Sequence, residues 1–150
     1  MPEYKNILIA VDFSNACKQV IQKGINTGKL NQAAIYLIHV VEHLPPIDFG
    51  YEPMSNPDWY DNEAELLSQA KKKMDALASE HNIPAANTQV IAGSPKHEII
   101  EYTVQNNIDL LVIGSHGRHG LQRLLGSTAY PILHNAPCDV LAVRIKNQPA

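Results

Sequence analysis

The sequence predicts a doubly wound α/β domain built around a parallel sheet. Apolar segments rich in Val, Ile and Leu alternate along the chain with segments whose apolar residues recur at helical spacing. The apolar segments also lack the polar alternation of a half-exposed sheet, which indicates strands that are buried on both faces. We therefore expect one domain over residues 1–150, with right-handed crossovers and helices on both faces of the sheet.

The first half of the chain predicts two strands and two helices. Strands are expected at 5–12 and 33–41, separated by a helix at 15–30 that Ser14 caps. Gly24 and Gly28 lie on the apolar side of that helix and would let it sit close to the sheet. A second helix is expected at 61–82, because its apolar residues from Leu66 to Ala78 form one stripe.

The second half predicts three further strands, at 87–92, 109–114 and 138–145. Between the first two, Ser94 as N-cap and Pro95 at the first helical position indicate a helix at 95–107. The last helix is expected at about 127–136, and Pro131 within it predicts a distorted or shifted start.

Residues 42–60 form a long connection with four prolines, and we expect no regular structure there. Its aromatic residues Phe49, Tyr51 and Trp59 suit a lid or a partner surface. A plain mobile loop is the equally weighted alternative.

Composition excludes several classes of protein. The formal net charge is −3, and the three lysines at 71–73 read as one solvated helix turn, so nucleic acid is not expected as a partner. Cys17 and Cys138 lie far apart with no zinc spacing; a reduced, cytoplasmic setting fits, and Cys17 reads as a small buried hydrophobe. The apolar run near the N-terminus, 7–11, is too short for a signal-peptide core, and no run approaches the length of a membrane span.

The most informative segment follows the fourth predicted strand. Glycines at 114, 117 and 120 let main-chain N–H groups approach an oxyanion, and Gly126-Ser127-Thr128 would begin a helix whose dipole attracts negative charge. These two clusters predict a phosphate site, most simply for a nucleotide. The competing interpretation is that the glycines serve only the turn.

Asp12 ends the first strand, and Gly114 ends the fourth. If these strands are neighbours where the strand order reverses, Asp12, the glycine loop and Ser127 converge on one crevice, which is where ligands bind in such folds.

Other nucleotide and catalytic motifs are missing from the sequence. The turn after the first strand lacks Gly-x-Gly-x-x-Gly, no Gly-x-x-x-x-Gly-Lys-Ser/Thr occurs, and no serine lies in Gly-x-Ser-x-Gly. His39, inside an apolar strand, reads as a core or crevice-edge histidine rather than a catalytic one. His116 and His119 in the glycine loop are better candidates for ligand contact.

The chain resembles the universal stress protein family. The likeness rests on Ile9-Ala10-Val11-Asp12-Phe13-Ser14, on His39-Val40, on the two glycine clusters and on the closing segment 136–143, and it covers essentially the whole length. The resemblance implies strand order 3-2-1-4-5 and, because Gly114, Gly117 and Gly126 are kept, membership of the branch that binds ATP or AMP. Eight residues separate Gly117 from Gly126 where the family usually has nine, so AMP against ATP stays open.

The resemblance also implies which residues touch the nucleotide. Ala10 and Asp12 would line the ribose and phosphate side, and Val40 would touch adenine. The ribose and phosphates would be wrapped by Gly114, Ser115, His116, Gly117, Arg118, His119, Gly120, Gly126, Ser127 and Thr128.

Three functions are compatible with these features. The first is an adenine-nucleotide-binding stress protein that acts as a sensor or regulator. The second is a slow ATP hydrolase in which Asp12 holds Mg²⁺ and Arg118 or Arg123 balances phosphate charge. The third is an interaction protein with a vestigial pocket. A homodimer through the apolar strand 138–145 is expected, since an uncovered edge strand is a hazard.

Overall fold

Five strands and three α-helices make up the described part of the chain. The computed structural model describes residues 3–15, 17–42, 57–114 and 135–144, with the backbone alone described over 57–62. In chain order the elements are β1 (Asn6–Ala10), α1 (Cys17–Asn31), β2 (Ala34–Glu42), α2 (Pro57–Glu80), a 3₁₀ turn (Ala85–Asn87), β3 (Thr88–Gly93), α3 (Pro95–Gln105), β4 (Leu110–Gly114) and β5 (Asp139–Val143).

The strands form one sheet in the order β3-β2-β1-β4-β5, and every neighbouring pair is parallel. The predicted fold class and strand order 3-2-1-4-5 are therefore confirmed. The order reverses between β1 and β4, because the chain runs outward from β1 to β3 and then crosses to β4. This reversal is the place where a doubly wound fold leaves a crevice.

The sheet is covered on both faces, as the unbroken apolar strands indicate. Alternate residues of β1 point to opposite faces: Ile7 and Ile9 pack in one core cluster with residues of α1 and α2, whereas Leu8 packs in a second cluster with residues of α3. All three are fully buried. A central strand of this kind needs apolar residues at every position, which explains why its sequence shows no alternation.

Helix α1 lies close to the sheet because it carries glycine where it crosses β1. A Cβ at Gly24 would lie 2.4 Å from Cδ1 of Ile9, closer than packed carbon atoms come. At the other end of the same helix, a Cβ at Gly28 would lie 2.5 Å from Cδ1 of Ile35. The close approach predicted for these two glycines is thus confirmed.

Several predicted boundaries need correction. Residues 42–60 were expected to lack structure throughout, but α2 begins at Pro57, because proline is tolerated in the first turn of a helix, where its missing N–H costs nothing. Asn87, expected in a strand, belongs to the 3₁₀ turn, so β3 begins one residue later. Ser94 is the N-cap of α3 as predicted, but its side chain makes no capping hydrogen bond. The predicted helix at about 127–136, with Pro131, lies almost entirely outside the described residues.

Side chains pin the amino-terminal edge of the sheet. Oδ2 of Asp109 accepts hydrogen bonds from the backbone N–H groups of Lys5 at 2.7 Å and Asn6 at 2.9 Å. The Tyr4 hydroxyl donates to Oδ2 of Asp139 at 2.9 Å, and that carboxylate raises the pKa of Tyr4. These bonds tie the first residues of the chain to the ends of β4 and β5, so the opposite, carboxyl edge is left for the site.

Candidate functional site

Three predicted site residues meet at the carboxyl edge of the sheet. Strand β1 pairs Ala10 with Ile38 of β2 and Ile9 with Val112 of β4. Continuing the two registers by two residues places Asp12 level with Val40 on one side, and Val11 level with Gly114 on the other. The sheet therefore brings Asp12, Val40 and Gly114 to one edge, beside the reversal of strand order.

Asp12 organises the turn between β1 and α1. Its Oδ1 accepts hydrogen bonds from the backbone N–H of Ser14 at 2.9 Å and from the Ser14 hydroxyl at 2.6 Å. The Ser14 oxygen in turn accepts from the Cys17 N–H at 3.2 Å, which is the capping bond predicted for this serine. The carboxylate is thus held in a fixed orientation by the start of the helix.

His39 closes the end of β1. Its Nδ1 lies 2.7 Å from the Val11 carbonyl oxygen, and because a carbonyl only accepts, Nδ1 carries the hydrogen. If β1 continued to pair with its neighbour, the Val11 carbonyl would accept a backbone N–H of that strand. The His39 ring takes the place of this hydrogen bond, and β1 ends here. This half-buried position matches the crevice-edge histidine expected from the sequence.

Phe13 and Lys73 join this edge without having been predicted there. Phe13 adopts the left-handed region with φ of 62°, and its ring centroid lies 4.5 Å from that of His39. The Lys73 Nζ from α2 lies 6.0 Å from the centroid of the Phe13 ring. A phenylalanine gives no sequence signal for a positive φ, because the penalty for it is overcome only by packing in the folded chain.

The remaining described site residues differ in how much surface they offer. Ala10 is half-buried and packs against the cluster that α3 covers, and Gly114 is buried at the end of β4. Val40 is only 2% exposed, so what it could offer a ligand is chiefly its main chain. Nine predicted site residues lie outside the described ranges: Ser115, His116, Gly117, Arg118, His119, Gly120, Gly126, Ser127 and Thr128.

Cys17 sits directly below this edge, in the first turn of α1. It is 4% exposed, and burial raises the pKa of its thiol to about 11, with a smaller raising contribution from the Asp12 carboxylate. Backbone N–H groups of Asp12 and Phe13 oppose the shift. The thiol is therefore protonated at neutral pH and behaves as the small buried hydrophobe expected from the sequence.

This shift predicts a loss of stability in alkali. Between the ordinary thiol pKa of 9.0 and about 11, the unfolded chain has released the Cys17 proton while the folded chain still holds it, so unfolding becomes easier as pH rises. The free energy of unfolding that is lost is on the order of 2 kcal/mol once the pH has passed about 11. Below about pH 8 none of it is lost. We expect the stability difference between wild type and Cys17→Ala, measured by urea unfolding with reductant present, to shrink from about pH 8 to about pH 11. A difference that stays constant over this interval would contradict the prediction.

Within the described ranges, no three His, Cys, Asp or Glu side chains are grouped as metal ligands. Nor does any described helix combine the length and apolar character needed to cross a membrane.

Comparison with known proteins agrees with the fold and with the resemblance seen in the sequence. A profile of the universal stress protein family matches residues 3–144. Universal stress protein A homolog 2 of Coxiella burnetii is 42% identical over 147 residues, which cover 97% of this chain and 99% of that protein.

Solved structures show the same architecture. UspA from Lactobacillus plantarum is 29% identical, with a TM-score of 0.75, and the match covers 94% of this chain and 98% of that one. A universal stress protein solved in complex with cAMP is 17% identical, with a TM-score of 0.64, over 95% of this chain and 99% of that one. At that identity the likeness speaks for the fold alone. From the family profile and the 42% identical relative, this chain belongs to the universal stress protein family.

Proposed function

We propose that the chain binds an adenine nucleotide, ATP or AMP, and acts as a sensor or regulator in a stress response rather than through turnover. The observation that carries the proposal is the meeting of Asp12, Val40 and Gly114 at the strand-order reversal. Parallel strands leave a crevice at this edge, and the glycine-rich segment 114–120 continues directly from β4.

Two features of the described residues, and one of the sequence beyond them, suit a nucleotide. Gly114 ends β4 without a side chain, so a ligand can approach the main chain there. The positive φ of Phe13 turns the chain away from the end of β1, and the small Ala10 precedes this turn. The glycines at 117 and 126, with Ser127 and Thr128, would supply N–H and hydroxyl donors to the phosphates. A universal stress protein of the same fold has been solved in complex with cAMP.

Asp12 is the residue we propose as a Mg²⁺ ligand when a triphosphate is bound. One of its oxygens, Oδ1, is already bonded to Ser14, and among the described residues Asp12 belongs to no group of three His, Cys, Asp or Glu side chains. Any Mg²⁺ would therefore take most of its oxygen ligands from the phosphates and water, as this cation commonly does. AMP, with a single phosphate, would depend on Mg²⁺ far less than ATP.

The direct test begins with the purified protein. Mass analysis of small molecules released on denaturation identifies any nucleotide that copurifies. Calorimetric titration of nucleotide-free protein with ATP, ADP and AMP, each with and without Mg²⁺, then measures affinity. We expect saturable binding of at least one of them. An absence of saturable heat with all three would refute the proposal.

We also propose a homodimer through strand 138–145. The observed strand β5 lies at one end of the sheet order, and its apolar side chains Val140, Leu141 and Val143 are only half-buried. Such an edge favours pairing with another chain. The backbone N–H and C=O groups of one β5 would meet those of a second copy.

The dimer predicts a response to a charge on this strand. Ala142 is exposed on β5, so Ala142→Glu should fold normally while placing two like charges across a shared edge. We expect light scattering at micromolar concentration to give a dimer for wild type and a monomer for Ala142→Glu. Ala76→Glu, which adds the same charge at an exposed position on α2, should remain dimeric. A monomeric wild type would count against the interface.

A further inference from the structure

A second groove lies between α3 and the edge strand β3. Its volume is about 330 Å³, within the range of small-molecule sites. Its floor is apolar, formed by Ile38 and Ile91, and its walls are polar. Since a water molecule occupies about 30 Å³ in the liquid, the groove has room for on the order of ten non-hydrogen atoms.

The wall contributed by α3 is a stripe of residues at helical spacing. Glu98, Glu101, Tyr102 and Gln105 all line the groove. The helical rise of about 1.5 Å per residue spreads Glu98 and Gln105 over about 10 Å along the axis. The groove is therefore elongated, with its carboxylates towards the start of α3 and amide groups, Gln105 and Asn106, towards its end.

Tyr102 is the group that indicates a ligand. It is 9% exposed, and among the described residues its hydroxyl has no hydrogen-bond partner; the ring contact with Tyr36 is edge-on, at 6.3 Å between centroids. Because Tyr102 lines the groove and its hydroxyl has no partner among the described residues, a ligand in the groove can hydrogen-bond to it. Burial raises the pKa of Tyr102, with a smaller contribution from Tyr36, so the hydroxyl keeps its proton at neutral pH.

The charge of the groove selects the ligand class. Glu98 is half-buried and forms no ion pair with any described residue. Glu101 is more exposed; its Oε2 lies 3.8 Å from His97 Nε2, and its Oε1 accepts from Gln105 at 3.2 Å. The described residues form no metal-ligand cluster here, and a bare cation would make no contact with the apolar floor. An ammonium group on a short aliphatic chain matches both the carboxylates and the floor.

We propose that this groove is a binding site for aliphatic amines of the diamine class. The protonated nitrogen lies between Glu98 and the Tyr102 hydroxyl, the methylene chain covers Ile91, and the distal nitrogen donates to the amide oxygens of Gln105 and Asn106. None of the residues that line this groove is among those proposed to touch the nucleotide.

The test is calorimetric titration of nucleotide-free protein with putrescine, so that no phosphate competes for the amine. We expect saturable binding by wild type and none with 1,4-butanediol, which has the same length without charge. Glu98→Gln should weaken binding by at least about tenfold, the effect of losing one charge-assisted hydrogen bond. Glu80→Gln, a carboxylate at the exposed end of α2, serves as the charge control and should bind like wild type.

Tyr102→Phe gives an independent readout. It should weaken putrescine binding several-fold while leaving the unliganded protein at least as stable as wild type, because no hydrogen bond within the described residues is lost. Tyr36→Phe removes the hydroxyl of the neighbouring ring and should leave affinity unchanged. No saturable heat with putrescine, equal binding of butanediol, or unchanged affinity in Glu98→Gln would each overturn the proposal.

Discussion

Replacing Gly24 by valine should lower the free energy of unfolding by about 3 kcal/mol, the upper range for overpacking a core. A Cβ there would lie 2.4 Å from Cδ1 and 2.7 Å from Cγ1 of Ile9. Ile9 is fully buried in the central strand, so its side chain has no open space into which it could turn. The helix must then move away from the sheet. Because Ser14, which caps α1, also bonds to Asp12, this movement would disturb the orientation of the Asp12 carboxylate.

Gly28 is the matched control for this prediction. A Cβ at Gly28 would meet Cδ1 of Ile35 at 2.5 Å, but Ile35 is only half-buried and its terminal methyl can rotate outward. Because alanine also favours the helix by up to about 1 kcal/mol, Gly28→Ala should stay within about 1 kcal/mol of wild type. Urea unfolding of both variants and of wild type measures the difference.

A double-mutant cycle identifies the clash as the cause. Ile9→Val removes Cδ1, the nearest atom to the added Cβ, so Gly24→Ala should cost less in that background than in wild type. If the effects of the two substitutions on the free energy of unfolding simply add, a clash between the new Cβ and Ile9 is not the cause of the lost stability.

The strands were predictable because each central one is apolar at every position. Burial on both faces of a central strand requires a continuous apolar run such as Ile7 to Val11, and such runs separated by helical segments are typical of a parallel sheet covered on both faces. The strand order itself rested on the family resemblance, since hydrophobic pattern alone does not tell which strands are neighbours. The structure confirms it.

The start of α2 differs from the expectation because the prolines of 42–60 predict irregular structure there. Pro57 follows three other prolines, yet it begins the helix, a position that requires no N–H. Proline in general favours turns and loops, whereas proline in the first turn of a helix is tolerated, and the residue type alone does not tell which applies. The helical spacing of apolar residues becomes regular only from Leu66. The absent side-chain bond of Ser94 shows the same limit: its place as N-cap was predictable, whereas its hydroxyl geometry was not.

The candidate site was predictable in part. Gly114 ends β4 and Asp12 follows the end of β1 by two residues; these strands are neighbours, so the convergence of the two residues follows from topology. The contact of His39 with the Val11 carbonyl and the left-handed Phe13 depend on packing between distant elements. The phosphate-binding role of the glycine loop beyond Gly114 stays a prediction, since those residues lie outside the described ranges.

The sharpest test of that role is a substitution in each glycine cluster. Gly117→Val or Gly126→Val puts a branched side chain where a phosphate must meet main-chain N–H groups. Loss of two charge-assisted hydrogen bonds should weaken nucleotide binding by at least about a hundredfold, which in calorimetry amounts to its abolition. Gly117→Ala should fall between valine and wild type, because its single methyl group blocks less of the approach.

Loss of binding has this meaning only if the fold survives, so thermal unfolding of each variant accompanies the titration. Ala76→Val adds a branched side chain at an exposed position on α2 and should bind nucleotide like wild type. Steric exclusion of the phosphate predicts a graded loss from glycine through alanine to valine, with no matching loss of thermal stability. Unchanged affinity in both valine variants would mean that the glycines serve only the turn after β4, and that any nucleotide is held by other groups.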